Sequence, residues 1–155
     1  MKHRIRVAAI IMSGDKILLV KHVHPETGYG WWVPPGGGIE ESDSSIFDCA
    51  KRETFEETNL KIKTSRILYI REFQDKEHQV LNIEFFMLAD SFLGEIGLGN
   101  IKGKGPDERY IKEVKWLSKK DLKEIVVFPE ILKNDFWPDR AAGFLNIKYL
   151  GRQVK

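Results

Sequence analysis

Residues 51–60 read KRETFEETNL, and the rest of the chain is interpreted outward from this stretch. It places Glu53, Glu56 and Glu57 close together in a segment with a helical pattern. Residues three and four apart are neighbours on a helix, so Glu56 and Glu57 both lie beside Glu53, within an arc of about 100°. Four apolar or small residues project into the same arc: Ile46, Cys49, Ala50 and Leu60. The acidic cluster therefore continues an apolar stripe.

Three carboxylates at the edge of a core repel one another and lose hydration. A divalent cation relieves both penalties, and carboxylate-rich oxygen sites suit magnesium, manganese or calcium. The alternative interpretation is a solvated acidic turn in which Arg52 is a surface ion-pair partner. The helix alone leaves both interpretations open.

The segment before the helix favours the metal site. Residues 31–41 read WWVPPGGGIEE, in which an aromatic and β-branched run is followed by Pro34, Pro35 and three glycines. Such a run is typical of a strand that is stopped by a rigid turn. The glycines allow backbone conformations closed to other residues and the close approach of a ligand. Main-chain carbonyls of such a loop can join carboxylates on a metal.

Together the two segments resemble the signature of the Nudix hydrolase family. That signature is Gly, five residues, Glu, seven residues, Arg-Glu, a hydrophobic residue, any residue, Glu-Glu, any residue, Gly and a hydrophobic residue. PGGGIEE, residues 35–41, is similar to its first half. The residues that match its second half are Arg52, Glu53, Glu56, Glu57 and Leu60. The resemblance implies an α/β fold: a Nudix-type α/β/α sandwich with a mixed β-sheet and the signature loop and helix.

The match departs from the signature in the loop. Counted from Gly37, the first Glu of the signature falls on Asp43, and the gap to Arg52 is then one residue too long. Counted from Gly38, the gaps are correct, but Ser44 stands where the Glu belongs. In the family this Glu mainly supports the loop, so its loss concerns loop rigidity more than chemistry.

The ends of the helix are marked in the sequence. Ser45 stands three residues before Asp48, which is close to a capping box and predicts a helix start. The helix is expected to run to about Thr58. Asn59 replaces the signature Gly, and Asn is the usual substitute for Gly in a left-handed cap. Thr54 replaces the signature hydrophobic residue.

The resemblance implies hydrolysis of a nucleoside diphosphate linked to another group X, such as a nucleoside triphosphate or a nucleotide sugar, at a phosphorus anhydride bond. It implies Mg²⁺ or Mn²⁺ as cofactor. The implied ligands are three glutamates and one main-chain carbonyl: Glu53, Glu56, Glu57, and Gly37 or Gly38. Arg52 is then expected to orient the glutamates, because its planar fork suits carboxylates. The general base is left open among four residues: Glu53, Glu84, Glu108 and Glu113.

Four residues outside the signature are candidates for substrate binding: Trp32, Glu84, Lys102 and Lys104. Trp31 and Trp32 are adjacent and point to opposite faces of a strand, so one ring belongs to the core and the other can stack on a base. Glu84 stands in an apolar strand, either on a solvated face or aimed into a site. Lys102 and Lys104 lie in a glycine-rich stretch, Gly94 to Gly105, which we interpret as a flap over the site.

The remaining chain predicts strands and short helices around this centre. The predicted strands are Arg4 to Met12 and residues 16–23 as a hairpin, Lys61 to Gln74, residues 79–90 as the central strand, and residues 111–118. Short helices are expected from Ser118 to Ile125 and from Pro129 to about Asn134. Residues 91–109 are expected to be irregular.

Length and composition predict one domain over residues 1–155, with 42% hydrophobic and 31% charged residues. A net charge of +2 gives no general attraction to nucleic acid or membrane, so the expected partner is a small-molecule nucleotide, with a homodimer left open. The sequence shows no signal peptide and no run long enough to span a bilayer, so a cytoplasmic location is expected. The alternative function is a catalytically weak module of the same fold that binds a nucleotide, an RNA end or a protein.

Overall fold

The computed structural model describes residues 1–98 and 109–155, which form nine strands, three α-helices and one 3-10 helix. The strands are β1 (Lys2–Ile10), β2 (Met12–Ser13), β3 (Lys16–Val23), β4 (Gly30–Val33), β5 (Gly36–Gly38), β6 (Lys61–Asp75), β7 (Val80–Leu93), β8 (Ile111–Ser118) and β9 (Lys148–Val154). The α-helices are α1 (Ile46–Thr58), α2 (Lys119–Leu122) and α3 (Phe136–Ala141), and the 3-10 helix is Glu130–Lys133.

A mixed five-stranded sheet has the strand order β5-β1-β7-β6-β9. The apolar β7 lies at its centre, as predicted, parallel to β1 and antiparallel to β6. β9 closes one edge in parallel with β6, and β5 closes the other edge antiparallel to β1. This mixed sheet with few helices confirms the predicted α/β class.

The second sheet is antiparallel and is built on β3, which pairs with β2, β4 and β8. The predicted hairpin of Arg4 to Met12 with residues 16–23 is wrong for most of its length. Only Met12 and Ser13 pair with β3, because the chain leaves the first sheet after Ile10 and joins the second. β1 finds its partners in β5 and β7 instead, and this pairing brings β5 beside the site.

Apolar side chains fill the space between the two sheets. The largest cluster draws residues from both sheets and from the C-terminal helices: Ile10, Ile17, Leu19, Trp32, Leu68, Tyr69, Phe86, Leu122, Val127, Leu132, Phe136 and Phe144. A second cluster packs α1 against the five-stranded sheet and consists of Val7, Cys49, Ala50 and Met87. Cys49 is fully buried there, as its place on the apolar stripe predicted.

Helix α1 begins and ends where the sequence predicted. The Ser45 hydroxyl accepts a hydrogen bond from the Asp48 amide at 3.2 Å, which caps the first turn. Asn59 adopts the left-handed conformation at φ 69°, and its amide donates to the Phe55 carbonyl at 3.0 Å. These caps fix the rotation of α1, so that Glu53 and Glu57 face β5.

The elements after β8 are shorter than predicted. The helix expected from Ser118 to Ile125 is the single turn Lys119–Leu122, capped by Ser118. The short helix predicted from Pro129 to about Asn134 is present as the 3-10 helix Glu130–Lys133. Among the helices of the described residues, we find none with the length and apolar character needed to cross a membrane.

Candidate active site

Strand β5 and helix α1 approach each other at the glycines. The Gly36 amide donates to Glu57 Oε1 at 3.0 Å. A Cβ atom on Gly36 would collide with the Val7 carbonyl of β1, and one on Gly37 would lie 2.5 Å from the Glu53 carboxylate. The three glycines were expected to form a loop, but they form a strand, because pairing with β1 satisfies their backbone groups. Their missing side chains make room for the carboxylates.

The three signature glutamates differ in burial. Glu53 is 6% exposed, Glu57 is 0% exposed, and Glu56 is half-buried near the surface. Arg52 Nη1 lies 2.9 Å from Glu53 Oε1 and 3.5 Å from Glu56 Oε2. The guanidinium therefore balances part of the negative charge of the helix and holds two of the carboxylates in place.

Asp43 occupies the other edge of the Arg52 guanidinium. Arg52 Nε and Nη2 each donate to one Asp43 oxygen at 2.9 Å, in a bidentate pair. The hydrogen bonds from Arg52 hold the pKa of the Asp43 carboxyl below its ordinary value of 3.8, and the same pairing raises the pKa of Arg52. Asp43 also accepts from the Glu40 amide at 2.9 Å. The loop before α1 is thus fastened by the residue on which the signature Glu falls when counted from Gly37.

The two candidate carbonyl ligands lie in different surroundings. The Gly38 carbonyl accepts a hydrogen bond from Arg52 Nη2 at 3.2 Å. The Gly37 carbonyl faces Cys49, whose sulfur lies 4.0 Å away. Burial raises the pKa of the Cys49 thiol to about 12, so this neighbour stays protonated and uncharged. The Arg52 guanidinium on the Gly38 carbonyl disfavours a metal ion at the same oxygen. The Gly37 carbonyl is therefore the better placed of the two to bind a metal.

A cavity of about 760 Å³ opens between the two sheets and reaches Gly36 and Gly37 at one end. Its floor is the face of the five-stranded sheet that carries Arg6, Glu84 and Arg71 on three neighbouring strands. This volume lies within the range of about 300–1,000 Å³ that small-molecule sites have. The cavity therefore ends at the same two glycines against which Glu53 and Glu57 pack.

Aromatic side chains line the wall opposite the floor. Trp31 stacks against His22 at a centroid distance of 5.5 Å and against Tyr29 at 5.7 Å, with interplanar angles of 24° and 26°. Tyr110 lies 6.5 Å from the same indole. All four residues line the cavity, so the wall offers ring surfaces and edges to a planar ligand.

The predicted role of Trp32 is corrected by its position. Trp32 is only 7% exposed and packs in the core between the sheets, with Lys21 Nζ over its ring at 5.8 Å. Its neighbour Trp31 points to the opposite face of β4, away from this apolar cluster, and lines the cavity. The alternation of the strand separates the two rings, but the sequence does not say which face meets the ligand.

The other predicted residues fall in three places. Glu84 lines the cavity, as a substrate-binding residue must. Glu113, a candidate base, lies away from it on β8, where it forms ion pairs with Lys21 at 3.7 Å and Lys115 at 3.2 Å. The remaining three candidates, Lys102, Lys104 and Glu108, lie outside the described residues, as does most of the proposed flap.

Sequence reasoning missed several residues of the cavity: Arg4, Arg6, Arg71 and Asn82. Arg4 and Arg6 are two residues apart in β1 and therefore project from the same face of the sheet. This spacing was a usable signal, because two arginines on one face of a strand form a cationic surface that can receive an anionic ligand.

Comparisons with known proteins agree with this geometry. The family model described as NUDIX domain matches residues 2–136. The chain is 34% identical over 89 residues to the uncharacterized Nudix hydrolase YvcI of Bacillus subtilis, covering 56% of this chain and 53% of that protein. It is 38% identical over 66 residues to diphosphoinositol polyphosphate phosphohydrolase 2 of Rattus norvegicus, covering 42% of this chain and 34% of that protein.

A solved structure extends the likeness to the whole fold. The solution structure of the E. coli ORF135 protein superposes with a TM-score of 0.70 at 21% identity, covering 94% of this chain and 96% of that one. At this identity the superposition concerns the fold alone. The chain spans about half the length of YvcI and about a third of the rat protein, 53% and 34% respectively.

Proposed function

Since this chain belongs to the Nudix hydrolase family, we propose that it is a divalent-metal-dependent pyrophosphohydrolase that cleaves nucleoside diphosphates linked to another group. Nucleoside triphosphates and nucleotide sugars are the expected substrates. The observation that carries the proposal is the pair of buried carboxylates, Glu53 and Glu57, held against the glycine strand at the end of the 760 Å³ cavity. This arrangement supports a metal site beside the glycine end of the cavity.

The donor atoms fit a hard divalent cation. Glu53, Glu57 and the Gly37 carbonyl offer only oxygen, with Glu56 nearer the surface, and oxygen donors suit Mg²⁺ or Mn²⁺. Within residues 1–98 and 109–155, no three acidic, histidine or cysteine side chains converge into a closed metal-binding group. Mg²⁺ usually keeps several waters and binds one or two carboxylates together with substrate phosphates, so an open set of this kind suits it. Nudix hydrolases generally use a divalent metal.

The residues of the chain have separate tasks in the proposed reaction. When bound, the metal supplies charge neutralisation on the pyrophosphate and an activated water. Arg52 orients Glu53 and Glu56, while the Gly36 amide fixes Glu57. The cavity walls exclude bulk water from the anhydride bond, which strengthens these electrostatic interactions.

Among the candidate bases that the structure describes, we favour Glu53. Its carboxylate lies against Gly37, where the cavity ends. Glu84 lies on β7, two strands from the glycine strand, where Arg71 holds it at 2.6 Å. Glu113 lies outside the cavity, on the surface of β8.

A panel of about twenty nucleoside diphosphate derivatives tests the proposal, assayed with Mg²⁺ and with excess chelator. We expect turnover that is abolished by chelator and restored by Mg²⁺ or Mn²⁺. Glu57→Gln should lower turnover by a few orders of magnitude, because metal stabilisation of transition-state charge contributes several kcal/mol. The fold should persist, because the amide oxygen can still accept the hydrogen bond from Gly36. Glu41→Gln, at an exposed loop position, is the matched control and should keep full activity.

Undiminished turnover in chelator, or a fully active Glu57→Gln protein, would contradict the metal mechanism. Nucleotide binding without Mg²⁺-dependent product release from any substrate would favour the alternative, a Nudix-fold module that holds a nucleotide, an RNA end or a protein. The two functions are thus separated by one assay.

The wider setting of the protein is part of the proposal. We expect a small nucleotide as its partner and a cytoplasmic location, where its single cysteine, buried Cys49, stays reduced. One domain over residues 1–155 stays a prediction, and so does a homodimer.

A further inference from the structure

The floor of the cavity carries a carboxylate between two arginines. Glu84 of β7 pairs in register with Arg6 of β1 on one side and with Arg71 of β6 on the other. Arg71 Nε donates to Glu84 Oε1 at 2.8 Å, and Arg71 Nη2 lies 2.6 Å from the same oxygen. Arg71 in turn donates to Gln153 Oε1 at 3.3 Å, and this hydrogen bond fixes the guanidinium that holds the Glu84 carboxylate.

The two oxygens of Glu84 are not equivalent. Oε1 is occupied by Arg71. Oε2 accepts no hydrogen bond from the residues that the structure describes, since Arg6 Nε at 3.7 Å is beyond hydrogen-bonding distance. The side chain of Glu84 lines the cavity and is 15% exposed. An ionised carboxylate only accepts hydrogen bonds, so Oε2 offers a ligand an acceptor.

The surroundings of Glu84 suit an aromatic ligand. Phe73 and Phe86 line the floor on either side of it, and Trp31, Tyr29 and Tyr110 line the opposite wall. Arg71 lies over the rings of Phe73 and Phe86, at 5.9 and 5.8 Å, so the aromatic surface offered to a planar heterocycle is chiefly that of the opposite wall. The phosphates of a nucleotide belong at the glycine end, and its base belongs over the floor.

We propose that Glu84 selects the base of the nucleotide: its Oε2 accepts a hydrogen bond from an exocyclic amino group, so bases that carry an amino group are preferred over those with oxygen or hydrogen in its place. Glu84 is a specificity-determining residue and takes no part in cleavage. Arg71 and Arg6 position it. This inference rests on the proposed function only in assigning a nucleotide to the cavity.

Equilibrium dialysis with three pairs of nucleoside 5′-monophosphates, in the presence of chelator, tests the selection without turnover. The pairs are GMP with IMP, AMP with purine riboside monophosphate, and CMP with UMP; in each, the amino group of the first is replaced by hydrogen or oxygen in the second. We expect the amino-bearing member of at least one pair to bind about tenfold or more tightly, as for a hydrogen bond to a charged acceptor. Equal affinities in all three pairs, or binding of none of the six, overturn the proposal.

Glu84→Gln gives the sharper result. Arg71 only donates, so it takes the amide oxygen and leaves the amide NH₂ facing the ligand. The variant should therefore lose the preference for the amino group and, for the CMP and UMP pair, favour the oxygen-bearing base. A general destabilisation of the fold would weaken binding of both nucleotides but would not reverse their affinity ratio. The ratio therefore distinguishes a role of Glu84 in base selection from a purely structural role. A wild-type ratio in Glu84→Gln overturns the proposal.

Glu84→Asp keeps the negative charge between Arg6 and Arg71 and shortens the side chain by one methylene. Its affinity ratio should fall towards one without reversal, and an unchanged ratio again counts against the proposal. Glu113→Gln, on the outer surface of β8, is the control and should keep the wild-type ratio. Because these ratios are measured without hydrolysis, an inactive protein contradicts the proposed function alone, and an active one with ratios independent of Glu84 contradicts this inference alone.

Discussion

At the scale of single residues, the pair of Asp43 with Arg52 is the contact that holds the loop to the helix. The Asp43 side chain is 3% exposed and its pKa is lowered by the hydrogen bonds from Arg52. Asp43→Asn keeps the shape and removes the charge, so we expect a loss of about 1–3 kcal/mol of unfolding free energy at pH 7. A lowered folded-state pKa contributes stability above the ordinary value of 3.8, and this stability is lost as the pH falls through the lowered value. The difference between wild type and variant should therefore shrink on acidification, as measured by urea unfolding at pH 7, 5 and 3.

Glu40 gives a matched control, because it pairs with the same arginine at 3.6 Å but its side chain is 62% exposed. Glu40→Gln should change the unfolding free energy by less than about 0.5 kcal/mol, as exposed ion pairs contribute little. If Asp43→Asn were as mild as Glu40→Gln, or if its deficit stayed constant down to pH 3, the pair would not be what fastens the loop.

At the scale of elements, two adjacent glycines of strand β5 are expected to differ in their effects: substitution of one should lower stability, and substitution of the other should lower activity. A Cβ on Gly36 meets backbone atoms of β1, which cannot move without breaking the pairing, so Gly36→Ala should cost about 2 kcal/mol or more. A Cβ on Gly37 meets the Glu53 carboxylate, which is the end of a side chain and can swing aside. Gly37→Ala should therefore lower turnover far more than it lowers the melting temperature.

Gly30→Ala is the control for this pair, since a Cβ there makes only ordinary contacts of 3.4 Å or more and Gly30 does not line the cavity. It should leave both turnover and melting temperature unchanged. Thermal unfolding and turnover measured on the three variants together decide the matter: a Gly36→Ala protein of wild-type stability, or a Gly37→Ala protein of wild-type activity, would show that the close approach of β5 is not required.

The elements also show what local sequence can predict. Helix α1 was predicted to its caps, because Ser45 and Asn59 act on backbone groups within a few residues of themselves. Strand β5 was not predicted, because glycine has little strand propensity and this strand exists through its pairing with β1, about thirty positions earlier. Pairing between distant segments is the information that a local pattern does not contain.

At the scale of the whole molecule, the cavity depends on how the two sheets face each other. The sequence grouped Glu53, Glu56 and Glu57 on one helical turn, and the structure packs two of them, Glu53 and Glu57, against the glycine strand; metal binding there stays a proposal. The sequence assigned substrate binding to Trp32, whereas Trp31 is the ring that lines the cavity. Choosing between the two requires knowing which face of β4 is turned towards the cavity. The row of Arg6, Glu84 and Arg71 comes from three strands whose register no single segment specifies. Only Glu84 was identified from the sequence, as an oddity within its own strand.

The last prediction concerns the stability of the whole chain, because a metal that binds only the folded state stabilises all of it. Without metal, Glu53 and Glu57 are buried carboxylates one helical turn apart, and their repulsion destabilises the fold. Mg²⁺ at about one hundred times its dissociation constant should add about 2.7 kcal/mol. For a chain of 155 residues this raises the melting temperature by about 5–10 °C. Glu57→Gln should be as stable as the metal-free wild type or more so, and should respond little to Mg²⁺. Scanning calorimetry at constant ionic strength measures both proteins, and an equal rise in the two would place the metal away from α1.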